Sequence, residues 1–316
     1  MSQAMQASGP THPQLRSRRW LLASGGASIV LIVSYLLAVW TERGQALENA
    51  ALRGADQVAS DDLTAASEAL GQITVYSLAL AVVLIGLVGL LRKRVDLAVA
   101  GVSVVVLGQV LTQGLKRFVL PRPELVEVSP GFTQNSFPSG HTTIAMTVLF
   151  AVFIVVPFRW RGIAALMVIF WAIGIGAYTT TAKWHRFSDT LGADAIALIC
   201  GCLASWWLMR HGSVHFTPGP VRRGRTILAG LLTFFTALLL VLGGILWGVP
   251  LLRGWDVATP DPTQDYTVYL GAHSLAAGFS GLTALIFWRL WHRLDTTQRN
   301  TPGRILADRH SQPDNA

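Results

Sequence analysis

Long apolar runs separated by short polar connections divide the chain. A helix needs about 20 mostly apolar residues to cross the hydrocarbon layer of a bilayer. Eight stretches approach that length: 20–40, 72–91, 95–113, 141–157, 162–181, 188–209, 226–247 and 267–290. The fourth is short and begins on polar residues. Backbone polar groups have no water to bond in hydrocarbon, so such runs are stable there as helices. The pattern predicts an all-α, polytopic membrane bundle of about eight transmembrane helices. Residues 1–19 are expected to be a cytoplasmic tail. Residues 294–316 are polar and expected to be a disordered cytoplasmic tail.

Composition strengthens this reading. Of 316 residues, 52% are hydrophobic and 13% are charged, where a soluble domain carries about 25% charged residues. The N-terminal stretch lacks a cleavable-signal pattern, so its first apolar run is expected to remain as a span. Cys200 and Cys202 lie inside an apolar run and point to different helix faces, which suits packing rather than metal binding. The net charge of +8 sits in clusters between the runs, so it reports topology and not a nucleic-acid partner. Arg16, Arg18 and Arg19 precede the first run; Arg92, Lys93 and Arg94 follow the second; Arg159 and Arg161 follow the fourth. Arg210, Arg222, Arg223 and Arg225 follow the sixth, and Arg289 and Arg293 the eighth. Cytoplasmic connections carry excess Lys and Arg. Both termini are therefore expected in the cytoplasm, with the chain in the cell (plasma or inner) membrane. The connection 41–71 is mixed in sign and includes Glu48 and Asp56, and 256–265 is acidic and proline-rich.

Two outward connections break the rule by holding basic residues. One runs from Lys116 through Arg122 to Pro138-Ser139-Gly140-His141; the other is Lys183-Trp184-His185-Arg186-Phe187-Ser188-Asp189. Lysine and arginine are fixed cations, and the arginine fork matches phosphate oxygens. Ser139 and Gly140 stand where a helix would begin, presenting free N–H groups to an anion. His185 and Asp189 are spaced i, i+4, so one helical turn puts them on one face. A carboxylate there fixes the imidazole tautomer and raises its basicity. Two histidines, an acid and a cationic cradle are what phosphoryl transfer through a histidine requires. The loops hold no acidic metal-binding cluster, so neither metal nor other cofactor is expected.

With these residues in view, the chain resembles the type 2 phosphatidic acid phosphatase family, which shares its fold with the vanadium haloperoxidases. That family carries Lys-x6-Arg-Pro, Pro-Ser-Gly-His and Ser-Arg-x5-His-x3-Asp. The second signature is intact at Pro138–His141, and the third keeps His185 and Asp189. The resemblance covers roughly 72–210. It implies a six-helix phosphatase core over 20–210, with two further transmembrane helices over 211–293. It also implies His185 as nucleophile, Asp189 as its partner and His141 as general acid, with Lys116, Arg122, Ser139 and Gly140 binding phosphate. The chain departs twice. Five residues separate Lys116 from Arg122, and Tyr178-Thr179 stand where the third signature has Ser-Arg. Arg186 and Lys183 are the nearby cations that could replace the missing one, Arg186 being favoured for its fork.

Asp194 either supports the site from behind or makes an interhelical contact, since an acid inside a span faces the bundle. His273 and the glycines Gly174 and Gly176 are assigned to packing. The resemblance implies a metal-independent hydrolase acting on the phosphomonoester or pyrophosphate of a lipid, of isoprenyl pyrophosphate or phosphatidic acid type, on the extracytoplasmic face. Two rivals stand beside it: a phosphotransferase passing the group to an alcohol, and a non-enzymatic protein that binds or moves a phospholipid. Partners are the phosphorylated lipid and membrane lipids; the sequence leaves the oligomeric state open.

Overall fold

A computed structural model describes residues 13–127, 134–217 and 223–297. Each of the eight apolar runs is a helix, and two more helices occupy the connection after the first run. In order, these are α1 (Pro13–Val39), α2 (Glu42–Gly54), α3 (Ser60–Gly71), α4 (Val75–Leu91), α5 (Val95–Gly114), α6 (Gly140–Val155), α7 (Phe158–Thr181), α8 (Phe187–Arg210), α9 (Arg223–Arg253) and α10 (Pro262–Leu290). Strands β1 (His215–Phe216) and β2 (Leu294–Asp295) pair antiparallel at one end of the bundle.

Among the described residues, six helices are individually long and apolar enough to cross a membrane: α1, α5, α7, α8, α9 and α10. The protein is a multi-pass membrane protein. Helix α4 passes that test only jointly with α3, to which it is bent by 57°. Helix α6 has 16 residues and is about 24 Å long at the helical rise. It lies in the middle of the bundle, where Met146, Leu149, Phe150 and Ile154 are buried without exposure. Protein rather than lipid surrounds it, so its shortness costs little.

Local chemistry fixes where the helices start. Thr41 caps α2 by accepting from the Gly44 N–H, and Thr74 and Ser77 form a reciprocal capping box at α4. Asp261 caps α10, with Pro262 in the first turn, where proline's missing N–H costs nothing.

The tail boundaries differ from expectation at both ends. Helix α1 already starts at Pro13. Leu294–Asp295 are held in the two-stranded ribbon, and the carbonyls of Leu294 and Thr296 accept from Arg161 and Arg94. The rest of the expected disordered tail, 298–316, lies outside the described residues.

The last two helices are additional in sequence, but α10 is not peripheral in space. Phe287 of α10 stacks on Phe150 of α6 with ring centroids 4.1 Å apart, and Trp20 of α1 packs against Phe287 and Trp291. Helix α9 lies outside α10 with most of its surface exposed. Helix α2, predicted only as part of a loop of mixed charge, packs on α10. Gly54 makes this possible: a Cβ there would meet the Asp265 carbonyl oxygen at 2.0 Å. Arg53 then forks onto the Asp265 carboxylate, both bonds 2.8 Å. Cys200 and Cys202 are free and buried.

Candidate active site

The two basic connections meet at the end of the bundle that holds α2. His185 sits in the turn after α7, whose geometry depends on Thr179. The Thr179 carbonyl accepts from both the Trp184 and His185 N–H groups at 3.0 Å. Its hydroxyl bonds the Gly176 carbonyl at 2.7 Å and lies 3.1 Å from the Thr190 hydroxyl of α8. Thr179 is fully buried. The position where the family signature has arginine is therefore a structural clamp in this chain.

One helical turn further on, Asp189 projects back over the start of α8. Its Oδ2 accepts from the Arg186 N–H at 2.8 Å and lies 3.4 Å from His185 Nδ1. The first contact anchors the carboxylate at an orphan helix N–H. The second is long for a hydrogen bond. The His141 ring lies 5.9 Å from that of His185 and 5.1 Å from that of Trp184, centroid to centroid.

His141 is placed by a loop docked onto α8. Ser139 caps α6, its hydroxyl accepting from Thr142 N–H at 3.3 Å, and its own N–H donates to the Asp189 carbonyl at 2.9 Å. The Phe137-Pro138 peptide bond is cis. Phe137 is fully buried over Gly192, where a Cβ would come within 2.6 Å of its ring. Asn135 donates to the carbonyls of Lys116 and Leu120 at 3.1 and 2.6 Å, tying this loop to the end of α5. Helix α5 closes there in a π-turn, Leu115–Val119, which carries Lys116.

Between these parts lies a cavity of about 430 Å³, walled by Lys116, Ser136, Lys183, Trp184, His185 and Arg186 among others. Of the residues expected to bind phosphate, Lys116 and Arg186 reach the cavity. Arg186 donates to the Ser136 hydroxyl at 3.0 Å, which aims it across the pocket toward the docked loop. Arg122, Ser139, Gly140, His141 and Asp189 are not in the cavity wall; of the two histidines only His185 lines it. Arg122 is turned toward α2. Gly140 is crowded by Gln113, whose amide nitrogen would lie 3.2 Å from an added Cβ. Lys183 lines the cavity and is ion-paired with Asp56. Asp194 accepts from Ser280 of α10 at 2.9 and 3.1 Å, so its place is an interhelical contact and not the pocket. His273 bonds Thr181 at 3.1 Å, in keeping with packing. Gly176 approaches Ser280 closely, whereas Gly174 faces open space.

Two participants were not anticipated. Trp184 forms cavity wall, its ring 5.1 Å from that of His141. Glu48 of α2 is buried beneath the site. Its Oε1 accepts from the Ser188 N–H at 3.0 Å, and its Oε2 lies 3.8 Å from the Arg122 guanidinium. Burial, and then the Asp189 carboxylate, push Glu48 up from 4.5 to about 7, against the pull of Arg186 and Arg122. Burial, and then Arg186, push the Arg122 guanidinium below its usual range. The signal for Glu48 was available: apolar positions 46, 47, 50 and 51 recur at helical spacing, and Glu48 falls among them.

A cationic pocket with a carboxylate-held imidazole in its wall, and a second imidazole ring 5.9 Å from that one, set at one end of a membrane helix bundle, suits a membrane phosphatase-like protein. Residues 74–213, from the cap of α4 to the turn after α8, match the family model of the PAP2 superfamily. No curated protein matches the chain, and no solved structure does. Among the described residues, no group of three or more His, Cys, Asp or Glu is placed to hold a metal ion.

Proposed function

We propose that the chain is an integral-membrane phosphatase that hydrolyses the phosphomonoester or pyrophosphate of a lipid through a phosphohistidine at His185. The observation that carries this reading is the Asp189–His185 contact, with the His141 ring 5.9 Å away and lysine and arginine on the same cavity wall. In the first step His185 Nε2 attacks phosphorus. Its Nδ1–H stays on Asp189, the bond from phosphorus to the lipid oxygen breaks, and His141 gives that oxygen a proton. In the second step water attacks phosphorus and returns its proton to His141, the P–N bond breaks, and inorganic phosphate leaves. Lys116 and Arg186 stabilise the equatorial oxygens throughout. Arg122 adds positive potential from behind.

Two observations support a lipid substrate on the extracytoplasmic face. The pocket lies at one end of the bundle, and the alternation of basic connections along the sequence puts the loops around it on the side opposite the basic clusters. Phosphate release from a panel of lipid phosphates and pyrophosphates, by the purified protein in excess chelator, tests the reading. Release that vanishes in His185→Ala is expected. Release unchanged in that variant excludes the mechanism. An added acceptor alcohol that captures the phosphate in place of water assigns a phosphotransferase.

A further inference from the structure

The opposite end of the bundle carries a second cavity, of about 910 Å³, between the start of α1, the start of α9 and the end of α10. Its polar mouth is basic: Arg19, Arg225, Arg289, His292 and Arg293 line it, and none of its lining residues is acidic. The walls below are apolar, including Ala229 of α9 and Leu285 and Trp288 of α10. The basic groups are near enough to act on one another: burial first, and then Arg289, Arg225 and Arg293, push the His292 imidazole below its usual range. Arg225 Nε and Arg293 Nε are buried with no hydrogen-bond partner. A buried polar N–H left unsatisfied is destabilising, and like charges held together add repulsion. Exposed interfacial arginines avoid both penalties by reaching into water. Here the guanidinium stems converge on a shared space.

A single anion in the mouth would satisfy both nitrogens and relieve the repulsion. The apolar walls say what such an anion must carry, because a free phosphate would leave them unfilled. We infer that this cavity binds an anionic phospholipid, the headgroup phosphate among Arg225, Arg289 and Arg293 and an acyl chain along the groove between α9 and α10. This site lies at the far end of the bundle from the candidate phosphatase site and does not depend on what that site does.

Native mass spectrometry of the full chain in detergent tests the inference, with phosphatidylglycerol or phosphatidylcholine of identical acyl chains as probes. The wild type should retain one phosphatidylglycerol with roughly tenfold preference over phosphatidylcholine. The Arg225→Ala/Arg293→Ala variant should bring the two lipids to parity. The Ala229→Trp variant, which fills the groove and leaves every arginine in place, should lose the bound lipid as well. A control pair, Arg18→Ala/Arg159→Ala, removes two exposed arginines outside the cavity and should keep the preference. Equal retention of both lipids by the wild type would overturn the inference. So would a loss of preference as large in the control pair as in the cavity pair, which would mark a diffuse interfacial charge effect.

Discussion

The Glu48 carboxylate lies 3.8 Å from the Arg122 guanidinium, with side-chain exposures of 1% and 5%. Glu48 stands outside the PAP2-matching segment and Arg122 inside it, so α2 is joined electrostatically to that segment. The same carboxylate accepts from Ser188 N–H at the start of α8, one residue before Asp189. Helix α2 thus touches both the Arg122 side chain and the end of α8 that carries Asp189.

Glu48 makes stability depend on pH. Its pKa rises from 4.5 to about 7 on folding, so the folded state holds its proton more tightly than the unfolded state. Its contribution is fully present below about 4.5 and is lost as pH rises through about 7. Thermal unfolding in detergent across that window should show wild-type stability falling relative to Glu48→Gln, which keeps an oxygen for the Ser188 N–H but cannot ionise. Parallel pH curves for the two proteins would refute the assignment. Glu48→Ala removes the helix-end acceptor and should cost about 1 kcal/mol further.

Arg186 is the cation placed to serve where Thr179 stands in the signature. Arg186→Ala should lower kcat/KM by roughly a hundredfold, the scale of removing one donor to a developing oxyanion. Arg186→Lys should recover only part of this, since an ammonium lacks the fork that reaches both Ser136 and phosphate. Steady-state kinetics on whichever lipid phosphate supports release gives the answer. A normal kcat/KM in Arg186→Ala would mean that Lys116 suffices.

Restoring the signature should harm the protein. Thr179→Arg places a guanidinium in a fully buried clamp with no carboxylate bonded to it. An uncompensated buried charge costs several kcal/mol, so the variant should be poorly folded by size exclusion and melting. Thr179→Val loses only the two hydroxyl contacts and should cost about 1–2 kcal/mol. An active, stable Thr179→Arg protein would show that the turn can open to admit a cation.

Gly192→Ala tests the seat of the loop that carries His141. Its Cβ would fall 2.6 Å from the Phe137 ring, so Phe137-Pro138 must lift. A misplacement near 1 Å of a catalytic group can cost about a hundredfold in rate. Activity should fall by about that factor while α8 persists by circular dichroism. Unchanged activity would mean that the loop relaxes without moving His141.

The helices and the facing histidines were legible because they rest on local signals. Apolar runs specify spans one at a time, and an i, i+4 spacing puts His185 and Asp189 on one face whatever surrounds them. The parts that the sequence misplaced or left open depend on distant contacts. Arg122 points to α2 because a glutamate more than 70 residues earlier is buried beneath it. Asp194 is taken by Ser280 of α10, 86 residues away. Helix α10 enters the core because Phe287 finds Phe150, which no pattern within its own run reveals. Glu48 had a helical apolar face around it, but that face was masked by the mixed charge of its loop.

The central claim is that phosphate passes through His185. Rapid-quench trapping with a substrate labelled on its phosphate, followed by peptide mapping under alkaline conditions that preserve phosphohistidine, addresses it directly. The label should appear on the peptide containing His185 and be absent from His185→Ala. Turnover in the wild type with no label on that peptide, or with label on another side chain, would contradict the account.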